Sequence, residues 1–190
     1  MTQDNVDLLL EKYEIFRSEE DPHLKKLLRT EVISILEENE EDLVSDDIHV
    51  WGLTYYMSDD NKKYHLNLAL EKFLEAYTLD SSNFLACLYV AHCYHDQKKH
   101  QEALKYYELV DQDALKEFQI WRYVKLIEQI GECHYKLGNQ VLGRRLFQEV
   151  LEWYKSSPDE DLAVISGLTD CLPADDPIVI EIKKIAIYFD

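Results

Sequence analysis

The 190-residue sequence contains few turn-forming residues, with only five glycines and four prolines. An all-β sandwich or barrel needs such residues at intervals of about 8–12 positions, so their scarcity argues against that class. No apolar run approaches the ~18 residues of a membrane span, and the polar start MTQDNVD predicts no secretory signal. The four cysteines are widely spaced and form no CxxC pair, which is typical of reduced thiols in a cytoplasmic protein.

Motifs for catalysis and phosphate binding are also missing. The patterns GxGxxG, GxxxxGK, GxSxG, HExxH and DxDxDG do not occur. Cys133 and His134 are neighbours on a predicted helix, so they point in different directions and make a poor nucleophile–base pair. The sequence therefore predicts a protein that is not an enzyme and needs no cofactor.

Negative charge is abundant and unevenly spread, with 38 acidic and 20 basic side chains giving a formal net charge of −18. Residues 1–60 hold 17 acidic and 5 basic side chains, residues 61–155 hold 13 of each, and residues 156–190 hold 8 and 2. Acidic ends repel nucleic acid and anionic membranes and attract basic partners. The alternative is that they serve only as solvated, solubilising faces.

A repeat of small and aromatic residues runs through the middle of the chain. The same pattern occurs three times, as Ala69, Phe73, Ala76, then Ala103, Tyr107, Val110, then Gly143, Phe147, Val150. The first offset is 34 residues and the second is 40, because an extra stretch around QDALKEFQ intervenes. A second slot holds Gly52, Ala91 and Gly131, each followed three residues later by Tyr55, Tyr94 and His134. Small residues let two helices approach closely, and a single pair cannot cover its apolar face, so neighbouring pairs are expected to stack.

This layout resembles the tetratricopeptide repeat family, with three degenerate repeats at about 45–83, 84–117 and 120–157. The resemblance implies an all-α fold, a right-handed α-solenoid of antiparallel helix pairs. In one continuous domain, residues 1–44 would form an N-terminal helical cap, 45–157 the repeats and 158–190 the C-terminal capping helices. Gly143 stands where the family usually has alanine, and this predicts a helix weakened by up to ~1 kcal/mol.

The ends of the chain also show helical patterns. Asp21-Pro22 is a start signal for a helix that runs to about Glu38 and is predicted to bury Leu24, Leu27, Leu28, Ile33 and Leu36. A shorter helix is predicted over 159–172, and Asp176-Pro177 opens the last segment. That segment is rich in β-branched residues and could form a strand, but no partner strand is evident, so a capping helix is the prediction.

The resemblance also implies a binding surface, because the first helix of each repeat lines the concave side of such solenoids. The expected partner-binding residues are Asp46, His49, Leu53 and Tyr56 in the first repeat; Leu85, Leu88, His92, His95 and Asp96 in the second; and Lys125, Glu128, Glu132 and Tyr135 in the third. Some of them could contact the capping helices instead. His49 and Leu53 replace the lysine and asparagine with which one branch of the family grips C-terminal carboxylates, so such a clamp is not expected.

Three protein-binding functions fit these features. The first is an acidic, dedicated binder or inhibitor of a basic protein, for example an immunity protein that neutralises a toxin nuclease. The others are a secretion chaperone that holds an apolar peptide in the groove and a scaffold subunit, and the sequence does not distinguish monomer from dimer. A rival of another class is a metal-binding or catalytic protein that uses His92 and His95. Cys93 faces away from that pair and His100 opens the next helix, so no metal site is expected.

Overall fold

The computed structural model describes residues 1–58, 60–156 and 166–185. The described residues form eleven α-helices and contain no β-strand, which confirms the all-α class. The helices are α1 (Gln3–Ser18), α2 (Pro22–Glu38), α3 (Ser45–Tyr56), α4 (Lys62–Leu79), α5 (Phe84–Asp96), α6 (His100–Tyr107), α7 (Gln112–Phe118), α8 (Ile120–Lys136), α9 (Gln140–Ser156), α10 (Ser166–Cys171) and α11 (Pro177–Ile185). A 3₁₀ turn, Glu40–Asp42, lies between α2 and α3. Across the described ranges, no helix is both long and apolar enough to cross a bilayer.

The helices stand where the repeat pattern predicts them. The three predicted repeats contain α3 and α4, α5 and α6, and α8 and α9, while α7 occupies the extra stretch QDALKEFQ. The chain divides into two compact units, Met1–Cys93 and Tyr94–Asp190, and the boundary falls inside α5. We refer to them as the N-terminal unit and the C-terminal unit.

The N-terminal unit is built on α1, α2, α3 and α4 with the start of α5. The Asp21 carboxylate accepts from the backbone N–H groups of His23 and Leu24, so the predicted start of α2 is confirmed. The prediction that α2 buries Leu24 and Leu27 is wrong, because these side chains are 50% and 61% exposed. The buried side chains of α2 are Val32 and Leu36, which are four residues apart on one face of the helix. Leu27 lies on a different face, and Leu24 belongs to the start of the helix, where residues 22–24 are all exposed.

The C-terminal unit is organised around α8, which packs against α6, α7, α9 and α10, while α11 packs against α9. Its apolar core includes Val124, Phe147, Leu168 and Ile182. The last segment is helical through Ile185, so the capping-helix prediction is confirmed for the described residues rather than the strand. Of the helix predicted over 159–172, the described part is α10, and residues 157–165 and 186–190 lie outside the described ranges.

The close approach of α8 and α9 explains the glycine at position 143. A Cβ atom added there would lie 2.7 Å from the backbone oxygen of Gly131 and 3.0 Å from the Cβ of Tyr135. These are backbone or near-backbone atoms, which cannot swing aside as the end of a long side chain can. Glycine at this slot therefore lets the two helix backbones come closer than alanine would.

We predict that Gly143→Ala destabilises the protein, although the same change normally stabilises a helix by about 1 kcal/mol. The overpacked methyl group is expected to cost about 1–3 kcal/mol instead. Urea denaturation followed by circular dichroism gives the free energy of unfolding. Val141→Ala is the control because Val141 lies on the same helix and is 85% exposed, and it should change stability by less than about 0.5 kcal/mol. A Gly143→Ala protein as stable as the wild type would contradict the close contact.

The start of α11 is held by Asp176, which is buried. Its Oδ1 accepts from the Ile178 N–H at 2.9 Å, and its carboxylate pairs with both terminal nitrogens of Arg144 on α9. The hydrogen bonds from Arg144, followed by that from Ile178, outweigh partial desolvation and hold the pKa of Asp176 below its usual range. Asp176 thus caps the N-terminus of α11 and links it to α9 through Arg144.

We predict that Asp176→Asn lowers the free energy of unfolding at pH 7 by about 1 kcal/mol, because asparagine keeps the cap but loses the charge pair. A carboxylate with a lowered native pKa contributes its stability above the unfolded pKa of about 3.9 and loses it as the pH falls through the native value. The difference from wild type should therefore begin to shrink near the unfolded pKa of about 3.9 and continue to shrink as the pH falls through the lower native pKa. Urea denaturation at each pH measures the difference in the free energy of unfolding between the variant and the wild type. Asp175→Asn removes the neighbouring exposed carboxylate and serves as the control; a pH-independent difference for Asp176→Asn would refute the assignment.

Candidate functional site

The predicted partner-binding residues differ widely in exposure. Among the thirteen, Asp46 and Asp96 are exposed. The half-buried members are Leu53, Tyr56, Leu85, His92, Lys125 and Tyr135, and the buried members are His49, Leu88, His95, Glu128 and Glu132. Their contact with a partner stays a prediction, but the buried members have structural neighbours that explain their residue types.

An aromatic cluster in the N-terminal unit contains three of these residues. The ring of His49 lies 5.3 Å from Phe73 and 5.4 Å from Tyr89, measured between centroids. Tyr56 and His92 each meet Tyr89 edge-on, at 5.4 and 5.3 Å. Edge-to-face rings at these separations stabilise a core beyond the area that they bury. His49, Tyr56 and His92 are therefore packing residues in this structure.

A second cluster, in the C-terminal unit, is made of carboxylates on the buried side of α8. Glu128 has no exposed surface; its Oε1 accepts from the Leu168 N–H at 3.0 Å, and its Oε2 accepts from Lys125. One turn later, the Oε2 of Glu132 lies 3.1 Å from the Nε2 of His95. Gly167 of α10 has no side chain to displace these two carboxylates, whereas an added Cβ would overlap Glu132. The short helix α10 is thus held against α8 by a buried polar contact.

The two carboxylates respond differently to burial. Burial raises the pKa of Glu128, and the charge of Lys125 only partly opposes this change. Burial also acts to raise the pKa of Glu132, but the contact with His95 and the positive charges of Lys98 and Lys136 outweigh it, so its pKa is lowered. Glu132 therefore remains a carboxylate at neutral pH.

His95 also lies beside two other potential metal ligands. The turn between α5 and α6 brings its ring to a centroid distance of 5.6 Å from His100. Lys98 has a φ of 61° in this turn, and the N–H groups of Lys98 and Lys99 donate to the carbonyls of His95 and Tyr94. The nearby thiol of Cys133 on α8 completes a cluster in which one ligand atom of each residue lies within 4.8 Å of the others. Within the described ranges, the cluster with this spacing includes His95 but not His92.

The cysteines show no sign of nucleophilic activation. Burial raises the pKa of Cys133 to about 12 and those of Cys87 and Cys171 to about 11. A reactive cysteine has a lowered pKa, because the thiolate is the nucleophile. In the absence of a bound cation these thiols are protonated and chemically inert.

Sequence reasoning from the repeat pattern did not single out an acidic surface of the N-terminal unit, here called the α2–α3 surface. It consists of seven exposed carboxylates and two exposed apolar side chains: Glu37, Glu38, Glu40, Glu41, Asp42, Asp46 and Asp80, with Val44 and Leu79. They line two shallow depressions that follow each other along the chain, one at 37–42 and one formed by 43–46 with Leu79 and Asp80. The signal in the sequence was the excess of carboxylates in residues 1–60.

The charges of the α2–α3 surface are not compensated within the part of the chain that the structure describes. None of the seven carboxylates forms an ion pair there; Glu38, Asp46 and Asp80 bond to the neutral groups of Ser34, Asn83 and Ser82. The Met1 amino group lies nearby but donates to the backbone carbonyl of Asp42. Glu37 and Glu38 also end α2, where the helix dipole favours cations, and α2 has no basic residue in its last turn. The end of α2 and the turn after it therefore carry negative charge that no basic side chain of the described residues compensates.

No protein-family model matches the sequence. A search of curated proteins likewise gives no significant match.

We predict that Glu128→Ala destabilises the protein by about 2–4 kcal/mol, since it leaves the buried Leu168 N–H without this acceptor and removes the carboxylate that pairs with Lys125. Glu128→Gln is the matched control, because its amide oxygen can still accept from Leu168 and only the charge pair is lost. Urea denaturation measures stability, and hydrogen exchange at Leu168 reports on α10. If the amide of Leu168 exchanges at the same rate in Glu128→Ala as in the wild type, Glu128 does not hold α10 in place.

Proposed function

We propose that this protein is a non-catalytic binding module for a basic protein, and that the α2–α3 surface is its contact site. The observation that carries the proposal is the set of seven exposed carboxylates without an ion-pair partner among the described residues. A positively charged partner would relieve their mutual repulsion and accelerate association by electrostatic attraction. A dedicated inhibitor that neutralises a basic protein, such as an immunity protein against a toxin nuclease, is the function that best fits this chemistry.

Exposed apolar groups favour a protein as the partner. Val44 and Leu79 are each 58% exposed, and they lie at the depression that also includes Asp46 and Asp80. Protein interfaces combine an apolar contact area with a polar rim, whereas a small cation would need only oxygen ligands. The polar and apolar parts together support a contact with a folded, basic surface.

A secretion chaperone or scaffold that holds an apolar peptide receives less support. That hypothesis relies on Leu53, Leu85 and Leu88 as an exposed apolar strip, but Leu88 is 1% exposed and the other two are half-buried. A chaperone would also bind its peptide with little dependence on salt. The salt dependence of binding therefore separates the two functions.

We further propose that the helix pairs belong to the tetratricopeptide type and stack as a right-handed α-solenoid. Support comes from the positions of α3 with α4, α5 with α6, and α8 with α9, which follow the repeat pattern. Further support is a shared turn geometry: the N–H of Lys99 donates to the carbonyl of Tyr94, and the N–H of Asn139, 40 positions later, donates to that of His134. Lys98 and Gly138, at the matching positions before them, both have positive φ angles, 61° and 92°.

We predict that neutralising Glu37, Glu38, Glu40, Glu41 and Asp42 together to Gln or Asn abolishes capture of the basic partner. Wild-type protein, the neutralised variant and a control variant are immobilised and exposed to extract of the source cells. The relevant partner is the basic protein that salt releases from the wild type. With the purified partner, the association rate should fall at least about tenfold in the variant and lose most of its salt dependence.

The control neutralises five exposed carboxylates of the C-terminal unit: Glu102, Glu108, Asp113, Glu117 and Glu149. It changes the net charge by the same amount and leaves the α2–α3 surface intact, so it should keep the partner with only a small loss in rate. Equal weakening by both variants would mean that net charge, and not this surface, drives binding. A partner that resists salt and binds all three proteins alike would reject the proposal in favour of the peptide chaperone.

A further inference from the structure

The cluster of His95, His100 and Cys133 has the composition of a zinc site. Two imidazole nitrogens and one thiolate are ligands that Zn²⁺ prefers, and three protein ligands suffice when the fourth position is filled by water or a carboxylate. The three residues come from the end of α5, the start of α6 and the middle of α8. His95 and His100 are close in sequence, but Cys133 follows 33 positions after His100, so its place beside them is a product of the tertiary structure of the C-terminal unit.

One ring nitrogen of the cluster is buried without a partner. His100 Nδ1 is inaccessible to solvent and has no hydrogen-bond partner among the described residues, whereas His95 Nε2, also inaccessible, lies 3.1 Å from the Oε2 of Glu132. His95 as a whole is 8% exposed. A buried polar atom without a partner costs about 1–3 kcal/mol, so such atoms are rare in native proteins and point to a missing ligand.

The distances are compatible with coordination after small side-chain rotations. The ligand atoms lie within 4.8 Å of one another. In a tetrahedral zinc site, with Zn–N of about 2.0 Å and Zn–S of about 2.3 Å, neighbouring ligand atoms are about 3.3–3.6 Å apart. The required contraction is thus at most about 1.2–1.5 Å, which rotation about the side-chain torsions of two histidines and a cysteine can supply without movement of the helices.

The charges also balance for a divalent cation. The cysteine thiolate contributes one negative charge on binding, and Glu132, with its Oε2 3.1 Å from His95 Nε2, contributes another. A buried site tolerates charge only where it is paired, and these two anions match Zn²⁺. Lys98 and Lys136 lie near Glu132 but are exposed, so their ammonium groups are solvated.

We propose that His95, His100 and Cys133 bind a zinc ion, with Glu132 or a water molecule in the fourth position. Binding forms two Zn–N bonds and one Zn–S bond, and the thiol proton of Cys133 is released to solvent. The ion links α5, α6 and α8 within the C-terminal unit. This site departs from the sequence-based expectation of no metal and does not involve the α2–α3 surface, so it stands independently of the proposed function.

The test is titration of the full-length, metal-free protein with Zn²⁺ by calorimetry and with Co²⁺ by absorption spectroscopy. We expect one ion per chain, a rise in the thermal unfolding midpoint with zinc, and a Co²⁺ spectrum with a thiolate charge-transfer band and intense tetrahedral d–d bands. His100→Gln and Cys133→Ser should each weaken Zn²⁺ binding by more than about 100-fold, since even partners outside the coordination sphere cost 10–100-fold.

His134→Gln is the control, because it removes an imidazole from outside the cluster, and it should bind Zn²⁺ like the wild type. His100 is half-buried, so His100→Gln can be checked for native folding by circular dichroism and used even if Cys133→Ser is unstable. The proposal would be overturned if His100→Gln binds zinc with the affinity of the wild type. It would also be overturned if the Co²⁺ complex lacks the thiolate charge-transfer band.

Discussion

Glu128 lies fully buried on α8 and accepts hydrogen bonds from the side chain of Lys125 and from the backbone of Leu168. A carboxylate in that position is stable only when every oxygen has a donor, because burial of an unpaired charge is far more costly than a hydrogen bond is favourable. The contact therefore fixes where α10 begins relative to α8. The absence of a side chain at Gly167 follows from the same constraint, because any Cβ there would overlap the neighbouring Glu132.

Helix α8 connects this structural role with the metal proposal. One turn of the helix places Glu128 and Glu132 on the side that meets α10, and the residue after Glu132 directs its thiol toward the turn between α5 and α6. The same helix is thus covered by α6, α7, α9 and α10 and still carries polar groups inward. Buried polar groups limit the ways in which α8 can pack, because any other packing arrangement would also have to supply a hydrogen-bond partner for each of them.

In the N-terminal unit, the side chains that pack in the core differ from those of the proposed contact surface. Residues expected to line a groove, His49, Tyr56 and His92, pack in an aromatic cluster with Phe73 and Tyr89. The α2–α3 surface, by contrast, presents exposed carboxylates that form no ion pair within the described residues. Recognition in this unit is therefore best sought at the end of α2 and the turn that follows it.

The sequence by itself determined most of the helices and their order, although it did not predict α7 in the stretch QDALKEFQ. The spacing of Ala69, Phe73 and Ala76, the small residues at 52, 91 and 131, and the Asp21-Pro22 start signal are local features, and local features suffice to place helix boundaries. The acidic bias of residues 1–60 was likewise readable from composition. What only the tertiary structure decided is which side of each helix is covered. Leu24 and Leu27 are exposed and Glu128 is buried, in both cases against the preference of the residue type. The grouping of His95 with His100 and Cys133, rather than with His92, depends on how α6 and α8 pack, and no spacing along one helix encodes that distance.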